Sequence, residues 1–252
     1  MITDPPYNVI IDGHASGLGR THHREFQMAC GEMTAGEFTG FLGTAMALSV
    51  LSSQPGSLAY YFMDWRHLSE ILAAGLVAYG KPMNLCVWAK NNAGMGSFYR
   101  SAHELIFLFK NGEASHRNNV QLGQFGRYRT NVWKYPSANT FSRSGPEGDL
   151  LALHPTPKPV ALIADAIKDS TRRGELILDP FLGSGTAVIA AERTGRVCYG
   201  MELDPIYMDA VIRRWQRRTK RDAFHVESGE SFGVREARKA SHDTSISETK
   251  GE

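Results

Sequence analysis

The feature of this 252-residue sequence that most limits its fold is an alternation of strands and helices between residues 175 and 218. The apolar run ELILD is followed by the turn FLGSGT, the helical pattern AVIAAER, the strand-like run RVCYGME and a helix capped by Asp204-Pro205. Successive parallel strands need a helical crossover, so this order indicates a parallel sheet with helices on its faces. We therefore predict an α/β fold with a Rossmann-like, doubly wound and mostly parallel sheet.

The first half of the chain adds further elements to this sheet. A capping-box spacing that starts at Thr34 predicts a helix ending before Pro55. Pro159 suits the first position of another helix, and residues 111–150 show no clear period, which predicts an inserted loop region. Strands are predicted at SLAYYFM (57–63), NLCVWAK (84–90) and ELIFLF (104–109).

Composition excludes several classes of protein. Apolar residues make up 42% and charged residues 21% of the chain, as in ordinary globular proteins, and no apolar run is long enough to span a bilayer. Cys30, Cys86 and Cys198 are far apart, and neither they nor the His22-His23 pair have the spacing of a metal site. We therefore expect a cytoplasmic protein with no metal site and no contact with a membrane.

The turn in LILDPFLGSGT places Gly183 and Gly185 between a buried strand and a helix N-terminus. Glycines there let a ligand approach the backbone, and the first N–H groups of a helix are free to bind it. The turn is not a P-loop and lacks the third glycine of the dinucleotide fingerprint, so a plain strand-to-helix turn stays an alternative. Glu202 follows about twenty residues later, where an acid either binds a ribose or is a surface acid beside the Asp204 cap. Together these features favour a cofactor that contains adenosine.

The tetrapeptide Asp4-Pro5-Pro6-Tyr7 contains the clearest candidate for a catalytic acid. Each proline ring fixes its own φ and restricts the residue before it, so the Asp4 carboxylate is aimed in one direction. A proline-rich turn that caps a helix is the alternative interpretation.

Three stretches together resemble the amino-group DNA methyltransferases that use S-adenosylmethionine. They are the catalytic motif DPPY (4–7), the cofactor loop DPFLGSGT (179–186), and HPTPKP (154–159), which closes over the methionine end of the cofactor. Their order is that of the subgroup called beta, in which a target-recognition insert lies between the first two. The resemblance implies the class I methyltransferase fold over residues 1–218, with 111–150 as the insert. The polar composition of residues 219–252 predicts a partly disordered extension.

The resemblance also implies the catalytic residues, which are Asp4, Pro5, Pro6 and Tyr7. An exocyclic amino group is a poor nucleophile because its lone pair is delocalised into the base. The Asp4 carboxylate and the Pro5 carbonyl can accept its N–H bonds, and the flipped base can stack on Tyr7.

For the cofactor, the resemblance implies a pocket built largely from the glycine loop. The expected binding residues are Asp179, Phe181, Gly183, Ser184, Gly185, Thr186, Glu202, Thr156 and Lys158. Two alternatives stay open in the HPTPKP segment, because Lys158 also suits a solvated helix start and His154 also suits a structural turn.

The composition of the insert suits either a solvated loop or a DNA-binding surface, and its place in the motif order of the resembled family favours the DNA-binding surface. In QFGRYRTNVWKYPSANTFSR, basic residues that suit phosphates alternate with aromatic residues that suit bases. The run RRWQRRTKR (213–221) is interpreted instead as the solvated face of the last helix, with Trp215 turned inward. The expected partner is double-stranded DNA with a flipped target base, and the resemblance also allows a homodimer. The expected DNA contacts are Arg117, Arg127, Arg129, Lys134 and Arg143.

We therefore expect a site-specific DNA methyltransferase that modifies the exocyclic amino group of adenine, as in restriction–modification systems. Adenine is favoured because Asp heads the motif, whereas members that act on cytosine often have Ser there. RNA and protein amides are rival substrates of the same fold. The further alternatives are a cytosine N4 DNA methyltransferase and a catalytically weak DNA-binding fragment of a longer nuclease–methylase protein. The fragment is considered because Met1–Thr3 are few residues for a central strand, and because the chain resembles the methyltransferase half of bacterial proteins with a ParB-like nuclease segment.

Overall fold

A computed structural model describes residues 1–10, 27–94, 98–137 and 157–239 of the chain. Arg143, His154 and Thr156 lie outside these ranges, as do residues 240–252. All the other residues predicted to act at the site or on DNA are described.

Five strands in the described part of the chain form one hydrogen-bonded sheet, in the order β1, β2, β4, β3, β5. The strands are β1 (Ile2–Thr3), β2 (Leu58–Met63), β3 (Asn84–Ala89), β4 (His103–Lys110) and β5 (Val132–Lys134). β1 is parallel to β2 and β3 is parallel to β5, whereas β4 is antiparallel to both β2 and β3. β2 and β4 are buried over most of their length, which explains their nearly continuous apolar sequences.

A second pair of strands, β6 (Leu176–Asp179) and β7 (Val197–Gly200), is parallel and in register from Leu176 opposite Val197 to Asp179 opposite Gly200. The two sheets meet where β1 and β6 end, because the Thr3 hydroxyl donates a hydrogen bond to Asp179 Oδ1 at 2.7 Å. The predicted α/β fold with a mostly parallel sheet is confirmed, and β4 is the antiparallel exception.

Helices cover both faces of the sheet. They are α1 (Ala35–Leu51), α2 (Leu68–Tyr79), α3 (Val160–Ser170), α4 (Thr186–Thr194) and α5 (Pro205–Thr219). Side chains of β2 alternate between two hydrophobic cores, as a strand period of two requires. Tyr61 and Met63 face the core that contains α1 and α2, whereas Tyr60 and Phe62 face the core that contains α3 and α4. The arrangement is a three-layer, doubly wound fold.

The predicted helix starts are confirmed in two cases and shifted in a third. Thr34 and Glu37 form a reciprocal capping box at α1, and the Asp204 side chain accepts the Ile206 N–H at 2.8 Å at the start of α5. Pro159 is the N-cap of α3 with an extended ψ of 127°, so the prediction that it is the first helical residue is wrong by one position.

Residues 111–150 were predicted to be an inserted loop region, but β5 within them is part of the main sheet. Trp133, at the centre of β5, is only 6% exposed and donates its Nε1–H to the Thr130 carbonyl at 3.0 Å. A strand of three residues is too short to show a period of two, which explains why the sequence pattern did not reveal it. The insert therefore contributes an edge strand as well as loops.

The chain after α5 remains attached to it over the described part. Arg213 forms an ion pair with Glu236 at 2.6 Å, and Phe224 and Ser231 form an isolated antiparallel bridge. None of the helices in the described ranges is long and apolar enough to cross a membrane.

Two glycines within helices test how the core against β4 is packed. A Cβ on Gly75 of α2 would overlap the buried ring of Phe109, whereas a Cβ on Gly43 of α1 would meet nothing within 4 Å. Alanine gains up to about 1 kcal/mol of helix propensity at both positions. We expect Gly43→Ala to be neutral or stabilising and Gly75→Ala to lower the free energy of unfolding by about 1–3 kcal/mol, measured by urea denaturation. Equal effects of the two substitutions would contradict this packing.

Candidate active site

A cavity of about 490 Å³ lies where β1 and β6 end. Its volume is in the range of ordinary cofactor and substrate pockets. Ligand sites in doubly wound sheets lie at the carboxyl ends of the strands, which is where this cavity opens. Most of the predicted residues line it, namely Asp4, Pro5, Pro6, Tyr7, Lys158, Asp179, Phe181, Gly183, Ser184, Thr186 and Glu202.

Both carboxylate oxygens of Asp4 are bound by other side chains of the chain. The Tyr7 hydroxyl donates to Oδ1 at 2.6 Å, and Lys158 Nζ donates to Oδ2 at 2.5 Å. Asp4 keeps 24% of its side chain exposed, so the carboxylate borders the cavity. The acid is therefore held in one orientation by two contacts, in addition to the stiff prolines that follow it.

Lys158 lies deeper than the sequence suggested. It is 5% exposed, and its ammonium lies between Asp4 and Glu104, 3.1 Å from Glu104 Oε2. The ammonium also lies over the rings of Tyr7 and Phe62, at 5.3 and 5.5 Å from their centroids. The alternative of a solvated helix start is wrong, because the Lys158 side chain is buried. A buried ammonium needs charged partners, and Lys158 has two, Asp4 and Glu104.

Glu104 is the main residue of the site that the sequence did not reveal. It is the second residue of β4, is 9% exposed, and accepts hydrogen bonds from Lys158 and Lys90, and its Oε2 lies 3.1 Å from the Tyr7 hydroxyl. Its sequence context suggests only an acid that satisfies local structure. The available signal was its place at the start of an otherwise apolar strand, because a charged residue in such a strand is rarely buried without partners.

The charges of this cluster change the protonation of its members. Burial raises the pKa of the Asp4 carboxyl, Lys158 opposes this rise, and Glu104 adds to it. Burial also disfavours ionised Glu104, but Lys158 and Lys90 outweigh burial and hold its pKa well below the ordinary value. The difference follows from the number of cations, because Glu104 contacts two lysines whereas Asp4 shares one.

The glycine loop between β6 and α4 is held by its own chain. Gly183 N donates to Glu202 Oε2 at 2.8 Å, and Gly185 has a left-handed φ of +75°. A Cβ on Gly185 would lie 2.7 Å from the Val211 side chain, so glycine is needed there for the packing of α5. Gly185 is thus placed toward α5, and a ligand contact by it stays a prediction.

Arg214 supports the same loop from behind. It is 4% exposed and its Nη1 donates to the Ser184 carbonyl at 2.8 Å, with Thr186 Oγ1 at 3.4 Å. The interpretation of residues 213–221 as a solvated face is therefore wrong for Arg214. The missed signal is helical spacing, because Arg214 lies three residues after the buried Val211 and on the same side of α5.

Glu202 borders the cavity with both oxygens already hydrogen-bonded once. Oε2 accepts from Gly183 N, and Oε1 accepts from Asp204 N at 2.9 Å. An ionised carboxylate has about four acceptor positions, so further hydrogen bonds to a ribose are compatible with these two. Among the described residues, no group of three or more His, Cys, Asp and Glu side chains is arranged to hold a metal ion.

Comparison with known families decides what this arrangement belongs to. The sequence model of a family described as DNA methylase matches residues 1–213. The chain belongs to this DNA methylase family.

Two curated relatives of this methylase are type II methyltransferases. M2.MboI of Moraxella bovis is 29% identical over 146 residues, which are 55% of this chain and 51% of the relative. M.Cfr9I of Citrobacter freundii is 32% identical over 139 residues, which are 52% of this chain and 43% of the relative. The matches thus span about half the length of these relatives.

Solved structures with the same fold include several methyltransferases. PvuII DNA methyltransferase, described as cytosine-N4-specific, has a TM-score of 0.63 at 17% identity, over 85% of this chain and 78% of its own. The complex of M1.HpyAVI with SAM has a TM-score of 0.57 at 20% identity, over 84% of this chain and 86% of its own. A putative DNA modification methylase of Thermus thermophilus, complexed with S-adenosyl-L-methionine, has a TM-score of 0.58 at 18% identity, over 91% and 86%. At these identities the likeness establishes the fold alone.

Four of the five basic residues predicted to contact DNA are described; none of the four lines the cavity of the methylase, and their surroundings differ. Lys134 is exposed on β5, and Arg117 lies 3.5 Å from Glu175. Arg127 and Arg129 are partly buried against α3, where each forms ion pairs with Asp165 and Asp169. These two arginines hold the insert against the helix, so phosphate contact by them stays a prediction and would require breaking these ion pairs.

Asp179 of the methylase provides a test of the cavity wall. Burial raises the pKa of its carboxyl to about 7, although Thr3 and the Phe181 N–H both donate to Oδ1. Because the pKa is higher in the folded than in the unfolded chain, ionisation destabilises the fold as the pH rises from about 4 to about 7, by at most about 4 kcal/mol.

Asp179→Asn keeps the acceptor oxygen and removes this ionisation. We expect it to unfold at a higher temperature than the parent at pH 8, and the difference to shrink steadily toward pH 4. Thermal unfolding of both proteins across this pH range measures the effect. A difference that is constant with pH would contradict the raised pKa.

Proposed function

We propose that this DNA methylase transfers a methyl group from S-adenosylmethionine to the exocyclic amino group of adenine at specific sites in double-stranded DNA. The observation that carries the proposal is that Asp4 and the glycine loop 179–186 border the same cavity. β1 leads into the acid and β6 leads into the glycine loop. Their last residues, Thr3 and Asp179, are 176 residues apart in sequence, yet the two strands end side by side.

The residues around the cavity fit this cofactor. Phe181 and the apolar Leu182 offer flat and aliphatic surfaces for adenine, and Glu202 offers carboxylate oxygens for ribose hydroxyls. When bound, the cofactor supplies a methyl group on positively charged sulfur, and the S–C electron pair stays on sulfur as the base nitrogen forms its new N–C bond. Asp4, Glu202 and Asp179 give the cavity acidic groups that suit a cationic ligand.

Asp4 and Pro5 prepare the nucleophile. The Asp4 carboxylate and the Pro5 carbonyl can accept the two N–H bonds of the target amino group, which favours a tetrahedral nitrogen whose lone pair points at the methyl group. The nitrogen must lose one proton after transfer, and the Asp4 carboxylate is the base in contact with it. Because the pKa of Asp4 is raised, activity should fall as the pH drops through that raised value.

Two considerations bear on adenine as the target. Asp heads the motif at position 4, whereas Ser often does so in members that act on cytosine. The neighbour PvuII methyltransferase is described as cytosine-N4-specific, so the fold accommodates the other base as well, and cytosine N4 is the competing target. In either case the base must leave the helix, and the ring of Tyr7 at the cavity is the surface on which it would stack.

The transfer itself is the first test. The purified chain is incubated with labelled S-adenosylmethionine and mixed-sequence unmethylated DNA, beside Asp4→Ala and the control Asp209→Ala, an acid on α5 that is paired with Arg213 away from the cavity. We expect transfer by the parent and the control, and a loss of about 100-fold or more in Asp4→Ala. Nuclease digestion and mass spectrometry of the product should give N6-methyl-2′-deoxyadenosine.

The outcomes separate the competing functions. N4-methyl-2′-deoxycytidine in the digest would show that the target base is cytosine and not adenine. Transfer to RNA alone would change the substrate class. If the parent binds both cofactor and DNA but transfers no methyl group, the chain acts as a DNA-binding module and the enzyme proposal fails.

DNA binding through the insert gives a second test. Lys134→Ala removes an exposed cation on β5, so we expect weaker DNA binding at all sequences and a salt slope reduced by about one. Arg129→Met removes an arginine that contacts Asp169 and stacks near Trp133, so we expect it to lower stability by about 1–3 kcal/mol. Fluorescence anisotropy at several salt concentrations and thermal unfolding measure the two effects. Unchanged binding by Lys134→Ala would remove this lysine from the proposed DNA surface.

A further inference from the structure

Four charged side chains form a row from the end of β3 to the cavity, and their charges alternate in sign. Lys90 lies 2.6 Å from Glu104 Oε1, Lys158 lies 3.1 Å from Glu104 Oε2, and Lys158 lies 2.5 Å from Asp4 Oδ2. Their side chains are 22%, 11%, 6% and 24% exposed in the order Lys90, Glu104, Lys158, Asp4. The four charges come from the end of β3, from β4, from the residues before α3 and from the motif 4–7. Of these four side chains, only Asp4 is needed to contact the target DNA base.

The two oxygens of Asp4 differ in what holds them. Oδ2 is bound by the buried ammonium of Lys158. Oδ1 is bound by the Tyr7 hydroxyl at 2.6 Å, and the same hydroxyl lies 3.1 Å from Glu104 Oε2. A hydroxyl has one hydrogen to donate, so Tyr7 can exchange Asp4 for Glu104 without losing a hydrogen bond.

We propose that Lys158 and Glu104 are positioning residues for the methyl transfer: Lys158 holds Oδ2 of Asp4, which reserves Oδ1 for the target amino group, and Glu104 takes over the Tyr7 hydroxyl when that group arrives. This inference rests on the proposed function. It assigns the lysine of the HPTPKP segment to the catalytic acid, whereas the sequence resemblance had assigned it to the cofactor.

The surrounding charges make the proposal measurable. The groups that face Asp4 are Lys158 before α3, Glu104 of β4, Tyr7 of its own motif, and Asp179 at the end of β6. Lys158 is the cation among the charged groups named, and it lowers the pKa of Asp4, while Glu104 raises it. Removing Lys158 and removing the charge of Glu104 should therefore shift the titration of Asp4 in opposite directions.

The experiment follows the Asp4 carboxyl directly by carbon-13 NMR of protein labelled at aspartate, with its signal identified by its absence in Asp4→Asn. In Lys158→Met we expect the midpoint to rise by about one pH unit or more, and in Glu104→Gln we expect it to fall. The control Lys168→Met removes a lysine of α3 that is 40% exposed and pairs with Asp165. This control should leave the midpoint of the Asp4 titration unchanged. The acidic limb of the methyl-transfer pH profile should move in the same directions.

A midpoint of Asp4 that stays within about 0.3 pH unit of the parent in folded Lys158→Met would overturn the proposal. If Lys158→Met does not fold, Glu104→Gln decides, because a rise or no shift in that variant also overturns it. The midpoint needs no turnover, so the two proposals fail separately. A parent chain that transfers no methyl group refutes the proposed function, whatever the Asp4 titration shows.

Discussion

The site depends on one buried hydrogen bond between two strand ends. Thr3 closes β1 and Asp179 closes β6, and their side chains meet at 2.7 Å. The motif Asp4–Tyr7 and the glycine loop follow directly, so each leaves the sheet at the same edge and both turn into the same cavity. Because strands of a sheet are rigid relative to loops, this contact sets the distance between Asp4 and the glycine loop more firmly than either loop could.

Burial of charge beside this junction is tolerated only as a connected network. An isolated buried carboxylate or ammonium costs several kcal/mol, and removing one member of a pair leaves the other uncompensated. Lys90, Glu104, Lys158 and Asp4 contribute two positive and two negative charges, which cancel formally. The network is thus formally neutral, while the acid at its end still borders solvent. That balance explains why a residue of β4, far from the catalytic motif in sequence, belongs to the site.

The sequence predicted the parts of the site that depend on local pattern. The catalytic motif, the glycine loop and Glu202 follow strands, and the rule that parallel strands place their ends at one edge brings them together. Glu104 and Arg214 were missed because their burial depends on which strands and helices become neighbours. β5 was missed because three residues do not display a period. Register between β3 and β4, which places Trp88 opposite Glu104, cannot be read from either strand alone.

The glycine loop and Asp4 are also linked through Lys158. The Thr186 hydroxyl, in the first turn of α4, donates to the Lys158 carbonyl at 3.2 Å, while the Lys158 side chain holds Asp4. A ligand that orders the loop therefore acts on the residue that orients the acid. These links join the ends of elements that are neighbours in space, so they place no condition on the order of the motifs along the chain. A catalytic motif that precedes the cofactor loop can build the same site as one that follows it, provided that the two strands end side by side.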